Sequence, residues 1–237
     1  MDSSVERGKE VIRIEADAVA ALVTRIGQSF MAAVNTIYDC KGRVIVTGMG
    51  KSGLVARKIV ATLNSTGTAS IFLHPTDAMH GDLGMVRGED IVVCISKSGD
   101  TEEIRELLPM FKRLGVKIIS MVGNVNSHLA KQSDIVLDIS VKEEACPHDL
   151  APTASTTATL AMGDALAISL LHKRNFSEGD FALFHPGGNL GKRLLLKVEE
   201  IMASGDAVPK VKDTVPLSEA IMQMTRKRLG ATCVVDG

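Results

Sequence analysis

The sequence has no tryptophan, and aromatic residues make up only 3% of its 237 positions, which weighs against stacked-ring platforms for nucleic-acid bases or sugar faces. An excess of one charge is missing too. Lys and Arg number 27 against 28 Asp and Glu, for a net charge of -1, so there is no basic field for a polyanion and no acidic block of a disordered tail. No nucleic-acid partner is expected. No apolar run reaches membrane-spanning length, and the opening MDSSVERGKE is charged where a signal peptide would be apolar. A soluble, cytoplasmic chain without a membrane partner is the expectation. The four cysteines, Cys40, Cys94, Cys146 and Cys233, stand far apart with no CxxC pair, which argues against a thiolate zinc site and against a disulfide framework. They read as reduced thiols, Cys94 as a small core residue, while Cys146 in its polar loop stays open between a functional and a bland thiol.

What is present gathers first at residues 91–104, IVVCISKSGDTEEI. An apolar run reads as a buried parallel strand, followed by a small polar turn and a helix start. Ser96, Ser98 and Thr101 offer hydroxyls, Gly99 allows close approach of the backbone, and the first free N–H groups of the helix carry partial positive charge. The plainer alternative is a helix cap, with Asp100 and Glu103 in a capping-box spacing. A cap alone does not need three hydroxyls and a glycine at the carboxyl end of an apolar strand, where open α/β sheets bind ligands. A phosphate-binding turn is therefore preferred.

Along the chain, apolar residues at Ile12, Val19, Leu22, Ile26, Phe30, Ala33 and Ile37 follow helical spacing, with Gly27 as a joint, and predict an N-terminal helical arm that covers the sheet or pairs with another subunit. Residues 43–53, RVIVTGMGKSG, give strand, glycine turn and helix start, and Gly48, Gly50 and Gly53 match G-x-G-x-x-G. A dinucleotide site would want an acidic residue ending the next strand, where ASIFL runs into His74 and Pro75; a P-loop would want glycine where Ile45 stands. Neither fits. Lys51 remains, a cation at a helix start that an anion would have to neutralise, and so a site candidate against the alternative of a solvated surface lysine. His74, Asp77, His80 and Asp82 follow the second strand; the spacing of the two histidines argues against one metal held from a continuous helix. His80, past a strand's carboxyl end, is placed to exchange protons with a substrate. Two further strands, around KIISMV and DIVLD, bring the total to five and predict an α/β fold, a doubly wound parallel sheet flanked by helices. After them a polar loop leads to a long Ala/Leu helix whose start is crowded by Thr153, Ser155, Thr156 and Thr157. One hydroxyl suffices for an N-cap, which leaves the surplus to line a pocket. His185 stands in a glycine-bearing turn, where an exposed histidine is the plain reading.

GMGKSG at 48–53, HGDLGM at 80–85, SKSGDTEE at 96–103, EACPHDLAPTASTT at 144–157 and FHPGGNLGKRL at 184–194 closely resemble the sugar isomerase (SIS) domain of D-arabinose-5-phosphate isomerases, over about Val11 to Leu196. Members often carry SNSGE where this chain has SKSGD, so Lys97 and Asp100 depart from the usual pattern. The resemblance implies interconversion of D-ribulose 5-phosphate and D-arabinose 5-phosphate through an enediol, on the way to 3-deoxy-D-manno-octulosonate for lipopolysaccharide or capsule, in a homotetramer with sites shared between subunits. It implies catalytic roles for Lys51, Glu103, Glu144 and His185, and substrate contacts at Gly67, Thr68, His80, Ser96, Ser98 and Thr101. It associates His74 with zinc, inhibitory or incidental, and implies no required cofactor. The sugar isomerase domain is expected over residues 1–197, and residues 198–237 resemble the opening of a CBS domain, read as truncated or as a remnant too small to bury its own core. The competing reading is a regulatory module that binds sugar phosphates without catalysis on the same fold; it would not need Lys51, Glu103, Glu144 and His185 together.

Overall fold

A computed structural model describes residues 3–236. The chain divides into two compact units, Met1–Phe184 and His185–Gly237, a division that falls earlier than the motif-based boundary at 197. In the first unit the arm forms α1 (Ser3–Leu22) and α2 (Gln28–Tyr38), with the helical course interrupted at Gly27. There follow β1 (Val44–Gly48), α3 (Gly50–Ser65), β2 (Ser70–Leu73), α4 (Pro75–Met79), β3 (Ile91–Ser96), α5 (Glu102–Leu114), β4 (Lys117–Val122), α6 (His128–Gln132), β5 (Ile135–Asp138), α7 (Ala154–Lys173) and α8 (Glu178–Phe184). The five strands pair in parallel in the order β2-β1-β3-β4-β5.

The strands are mostly apolar because both faces of the sheet are covered. Successive side chains alternate between two cores. Val44, Val46, Val93, Ile95, Ile119 and Met121 pack with α2, α3 and α7 residues such as Ile37, Ile59 and Leu166. Ile45, Val92, Cys94, Ile118 and Val122 pack with Leu107, Phe111 and Leu129 of α5 and α6. The expected core role of Cys94 is met: it is fully buried, and desolvation pushes its thiol up to about 12.

α5 shows how sequence sets a helix here. Ile104, Leu107, Leu108 and Phe111 make one buried stripe. Glu102 and Glu103 sit in the first turn, Lys112 and Arg113 in the last, each matched to the helix dipole. Gly115 closes the helix in the left-handed region, at φ 74°. By length and composition α7 would suffice to cross a membrane, although no run of that kind is expected from the sequence; the reason is packing, since Ala158, Met162, Leu166 and Leu170 are buried in the sheet-covering core.

The second unit contains α9 (Asn189–Leu195), α10 (Val198–Ile201), β6 (Lys210–Lys212), α11 (Leu217–Lys227) and β7 (Cys233–Val235), with β6 and β7 paired in parallel. Its apolar layer is thin. Val211 is buried, whereas Leu217, Ile221, Met222 and Val234 are exposed.

Candidate active site

In this strand order the chain leaves β1 toward β2 on one side, while β3 lies on the other. That reversal opens a crevice at the carboxyl ends of β1 and β3, the usual ligand position in doubly wound sheets. The two loops that border it carry the sequence candidates. Lys51 is exposed in the first turn of α3, after β1. The helix can start so close to the strand because of Gly53, where a Cβ would lie 2.6 Å from the Gly48 carbonyl oxygen. Glu103, half-buried, sits in the first turn of α5, after β3.

The turn after β3 is a cup of hydroxyls. Ser96 Oγ, buried, lies 2.8 Å from Thr101 Oγ1 and 3.5 Å from Ser98 Oγ, and accepts the Gly99 N–H at 2.9 Å. Ser98 Oγ accepts the Asp100 N–H at 3.2 Å. Gly99 adopts φ 72°, and a Cβ there would stand 2.0 Å from Ser127 Oγ, so both conformation and space require glycine. The capping alternative is not what forms. Thr101 is the N-cap residue of α5 and makes no side-chain cap bond, while the Asp100 carboxylate accepts the His128 N–H at 3.1 Å instead. Three hydroxyls beside a helix start without a side-chain cap are the donor set that an anion would take up.

Glu144 comes from the loop after β5, and its side chain is fully buried. Its Oε2 accepts the N–H of Thr153 at 2.8 Å, the N–H of Ser155 at 3.1 Å and the Thr153 hydroxyl at 3.2 Å. Its Oε1 lies 2.8 Å from Lys97 Nζ, across from the turn after β3. Burial alone would push this carboxyl up, but the Lys97 ammonium and the α7 N–H groups outweigh it and hold it at about 2. Glu144 is therefore ionised at neutral pH. Three of the four hydroxyls crowding the start of α7 have separate tasks, while the buried Ser155 Oγ has no hydrogen-bond partner among the described residues. Thr153 serves Glu144, Thr156 bonds the Thr153 carbonyl at 2.7 Å, and Thr157 fastens Glu15 of α1 at 2.8 Å. Thr156 and Thr157 are thus structural rather than surplus pocket lining. Lys97, a departure from the family pattern in the sequence, proves to be a neighbour of Glu144. Its only sequence signal is that departure.

Other candidates lie apart. Gly67 and Thr68 sit before β2, at the amino edge of the sheet, where Thr68 accepts from Arg174 Nε at 3.3 Å and a Cβ on Gly67 would meet the Phe176 ring at 2.6 Å. Within this chain they do not join the crevice. His74 and His80 flank α4 at the carboxyl edge, beyond β2, with His80 exposed. His74 Nδ1 lies 4.0 Å from Asp77 Oδ2. Among the described residues no three His, Cys, Asp or Glu side chains converge on one point, so within one chain this pair falls short of the four ligands of a closed zinc site. His185 opens the second unit, half-buried, its carbonyl accepting the Gly188 N–H at 3.0 Å.

The family model for the SIS domain matches residues 36–169. Arabinose 5-phosphate isomerase KdsD of Pseudomonas aeruginosa is 54% identical over 232 residues, covering 98% of this chain and 71% of the relative. The KdsD of Escherichia coli K12 is 52% identical over 231 residues, covering 98% and 70%. Among solved structures, a protein of Escherichia coli CFT073 in complex with arabinose 5-phosphate matches with a TM-score of 0.75 at 40% identity, over 78% of this chain and 100% of that one. The Vibrio vulnificus NanR protein complexed with ManNAc-6P matches with a TM-score of 0.63 at 18% identity, over 82% of this chain and 69% of that one, a likeness of fold alone.

Proposed function

Since this chain belongs to the SIS-domain family, among the arabinose 5-phosphate isomerases, we infer that its crevice interconverts D-ribulose 5-phosphate and D-arabinose 5-phosphate through an enediol. The isomerase assignment follows from relatives above 50% identity across nearly the whole chain. The route and the roles below are our reading of the site.

The observation that carries it is the hydroxyl cup on the α5 start without a side-chain cap. A phosphate held by Ser96, Ser98, Thr101 and the first N–H groups of α5 fixes the sugar at one end. In the aldose-to-ketose direction a base removes the C2 proton while the carbonyl oxygen at C1 takes one up, giving the enediol. Loss of the O2 proton and return of a proton to C1 then give the ketose, so the proton count balances. A single side chain suited to this shuttle needs a conjugate acid near the working pH. Glu144, held at about 2, is unsuited, which leaves Glu103 or His185. Lys51 is assigned to the developing oxyanion or to the phosphate, and His80 or His185 to opening the cyclic form of arabinose phosphate. Glu144 is a fixed negative charge at the rim. No step needs a cofactor, and His74 enters only as a contact for incidental or inhibitory zinc.

Gly67 and Thr68 reach substrate in this reading only if a second subunit offers its amino edge, in keeping with the homotetramer we propose. Exposed apolar side chains on several helices, among them Ile12, Leu54 and Ile168, supply apolar area for such contacts. A cytoplasmic location, a place at the start of 3-deoxy-D-manno-octulosonate synthesis and a CBS origin for the strand-helix-strand of the second unit complete the proposal. The test is turnover of purified protein with D-arabinose 5-phosphate, with and without chelator, beside glucosamine 6-phosphate and hexulose 6-phosphate. Turnover of the pentose, undiminished by chelator, is expected. Sugar phosphate binding without turnover on any of the three would overturn the reading in favour of a sensor.

A further inference from the structure

We propose that Lys97 is a positioning residue, whose ammonium holds the Glu144 carboxylate at the rim of the crevice and so ties the substrate-binding turn after β3 to the loop after β5. Its Nζ lies 2.8 Å from Glu144 Oε1 and 3.5 Å from Asp149 Oδ1. Three donors already serve Oε2, whereas among the described residues Oε1 has no partner but Lys97. Removing the ammonium would therefore leave half of a fully buried carboxylate without compensation, which is costly. The Lys97 backbone is pinned to the loop after β4, the Gly123 N–H donating to the Lys97 carbonyl at 3.0 Å, while its side chain reaches the loop after β5.

Other charges near Glu144 do not replace it. Arg7 and Glu10 of α1 and Glu143, Cys146, His148 and Asp149 of the loop line a cavity of about 260 Å³ beside Glu144. Arg7 is engaged with Glu10 at 2.7 Å, and among the described residues Lys97 is the cation paired with Glu144. Partial burial acts to lower the Lys97 pKa, but Glu144 and Asp149 outweigh it and the ammonium is held firmly. The sign for Glu144 follows. Its folded pKa is depressed, so its stabilising contribution is present above the ordinary carboxylate range and is lost as pH falls toward about 2. Without Lys97, burial pushes that pKa up, and protonation reaches Glu144 at higher pH.

This role rests on the isomerase reading for its kinetic test, and on geometry alone for its titration test. The full chain is compared with Lys97→Met, Lys97→Arg, Glu144→Gln and the Lys97→Met/Glu144→Gln double variant, following kcat and KM for D-arabinose 5-phosphate from pH 5 to 9. Lys97→Met is expected to lower kcat about tenfold and to raise the acid limb that Glu144 imposes on kcat/KM by about three pH units or more, from about 2 into the measured range. Lys97→Arg should bring the limb back, and the double variant should be no worse than Glu144→Gln. An unmoved acid limb in Lys97→Met, or losses that multiply in the double variant, would overturn the proposal, because Lys97 would then act without Glu144. Should the parent not turn over the pentose, the isomerase reading fails and Lys97 is judged by thermal unfolding. The Tm difference between parent and Glu144→Gln should persist from pH 7 to 4, and in the Lys97→Met background it should shrink within that range. Equal pH dependence in both backgrounds would sink it.

Discussion

At the amino edge of the sheet the buried Asp90 carboxylate accepts the N–H of Arg43 at 2.7 Å and of Arg87 at 2.8 Å. At the carboxyl edge the buried Glu144 carboxylate likewise accepts N–H groups, those of Thr153 and Ser155. The two differ in what else surrounds them. Asp90 is walled in, since a Cβ on Gly42 would lie 2.3 Å from its Oδ1, and both of its N–H donors belong to strand starts or to its own turn. Each also has a cation beside it: Arg43 Nη2, on a residue whose own N–H already serves Asp90, stands 3.8 Å from Oδ2, whereas Lys97 Nζ reaches Glu144 from another loop, to 2.8 Å. Both are satisfied, so burial and hydrogen bonding alone do not mark a site. What marks the carboxyl edge is that its groups keep hydrogen-bonding capacity to spare: the hydroxyl cup, the first turn of α5 and the rim at Lys97.

The contrast is sharpest where one substitution removes chemistry and leaves the fold. Glu103→Gln, isosteric and half-buried in the first turn of α5, should cut kcat by about 10²- to 10⁴-fold if Glu103 carries the proton, with Tm little changed. A loss below about threefold would take Glu103 out of the base role and leave His185. The opposite behaviour belongs to the amino edge. Asp90→Ala strands two buried N–H donors and should cost about 3 kcal/mol, read as a Tm lower by roughly 6–12 °C, while kcat per folded molecule stays at the parent value. If activity fell as far as in Glu103→Gln, the division of labour between the edges would be wrong.

Ser96→Ala is the intermediate case. It removes the hydroxyl that organises the cup, the acceptor for Gly99 N–H and the neighbour of Thr101 Oγ1. One charge-assisted hydrogen bond to phosphate is worth about a factor of ten or more, so KM for the sugar phosphate should rise about tenfold while kcat moves less. An unchanged KM would show that phosphate binds elsewhere.

Much of this was legible in the sequence because it is local. A strand covered on both faces is apolar at nearly every position, so VIVTG and IVVCI declared themselves. The cup was legible for the same reason, its three hydroxyls and glycine lying within six residues. Pairings made across loops were not. Lys97 and Glu144 are brought together by the course of the chain after β3 and β5, and nothing in the residue pattern around either one encodes that meeting. The task of Thr153 was hidden likewise, since a hydroxyl at a helix start looks the same whether it caps that helix or serves a carboxylate. Gly67 and Thr68 came from resemblance alone, and their distance from the crevice follows from topology: α3 carries the chain from the carboxyl edge back to the amino edge before β2 begins.

The smallest effects test the same contrast through backbone strain, and they should carry opposite signs. In the loop beside Glu144, His148 and Asp149 both adopt left-handed conformations, at φ 69° and 55°, a region costing a side-chain-bearing residue about 1 kcal/mol. At the amino edge Gly115 holds φ 74° with open space where a Cβ would point, so Gly115→Ala meets conformational cost without a clash. Gly115→Ala should lower Tm by roughly 2–4 °C, and His148→Gly should raise it by a similar or smaller amount, since glycine relieves the strain but loses more freedom on folding. His148→Gly should also slow turnover slightly, because the strained turn presents Asp149 to Lys97 and a relaxed one would present it less often. A drop in Tm for both variants would mean that the loop is held by His148 itself rather than strained around it, and the carboxyl edge would then be as firmly built as the amino edge.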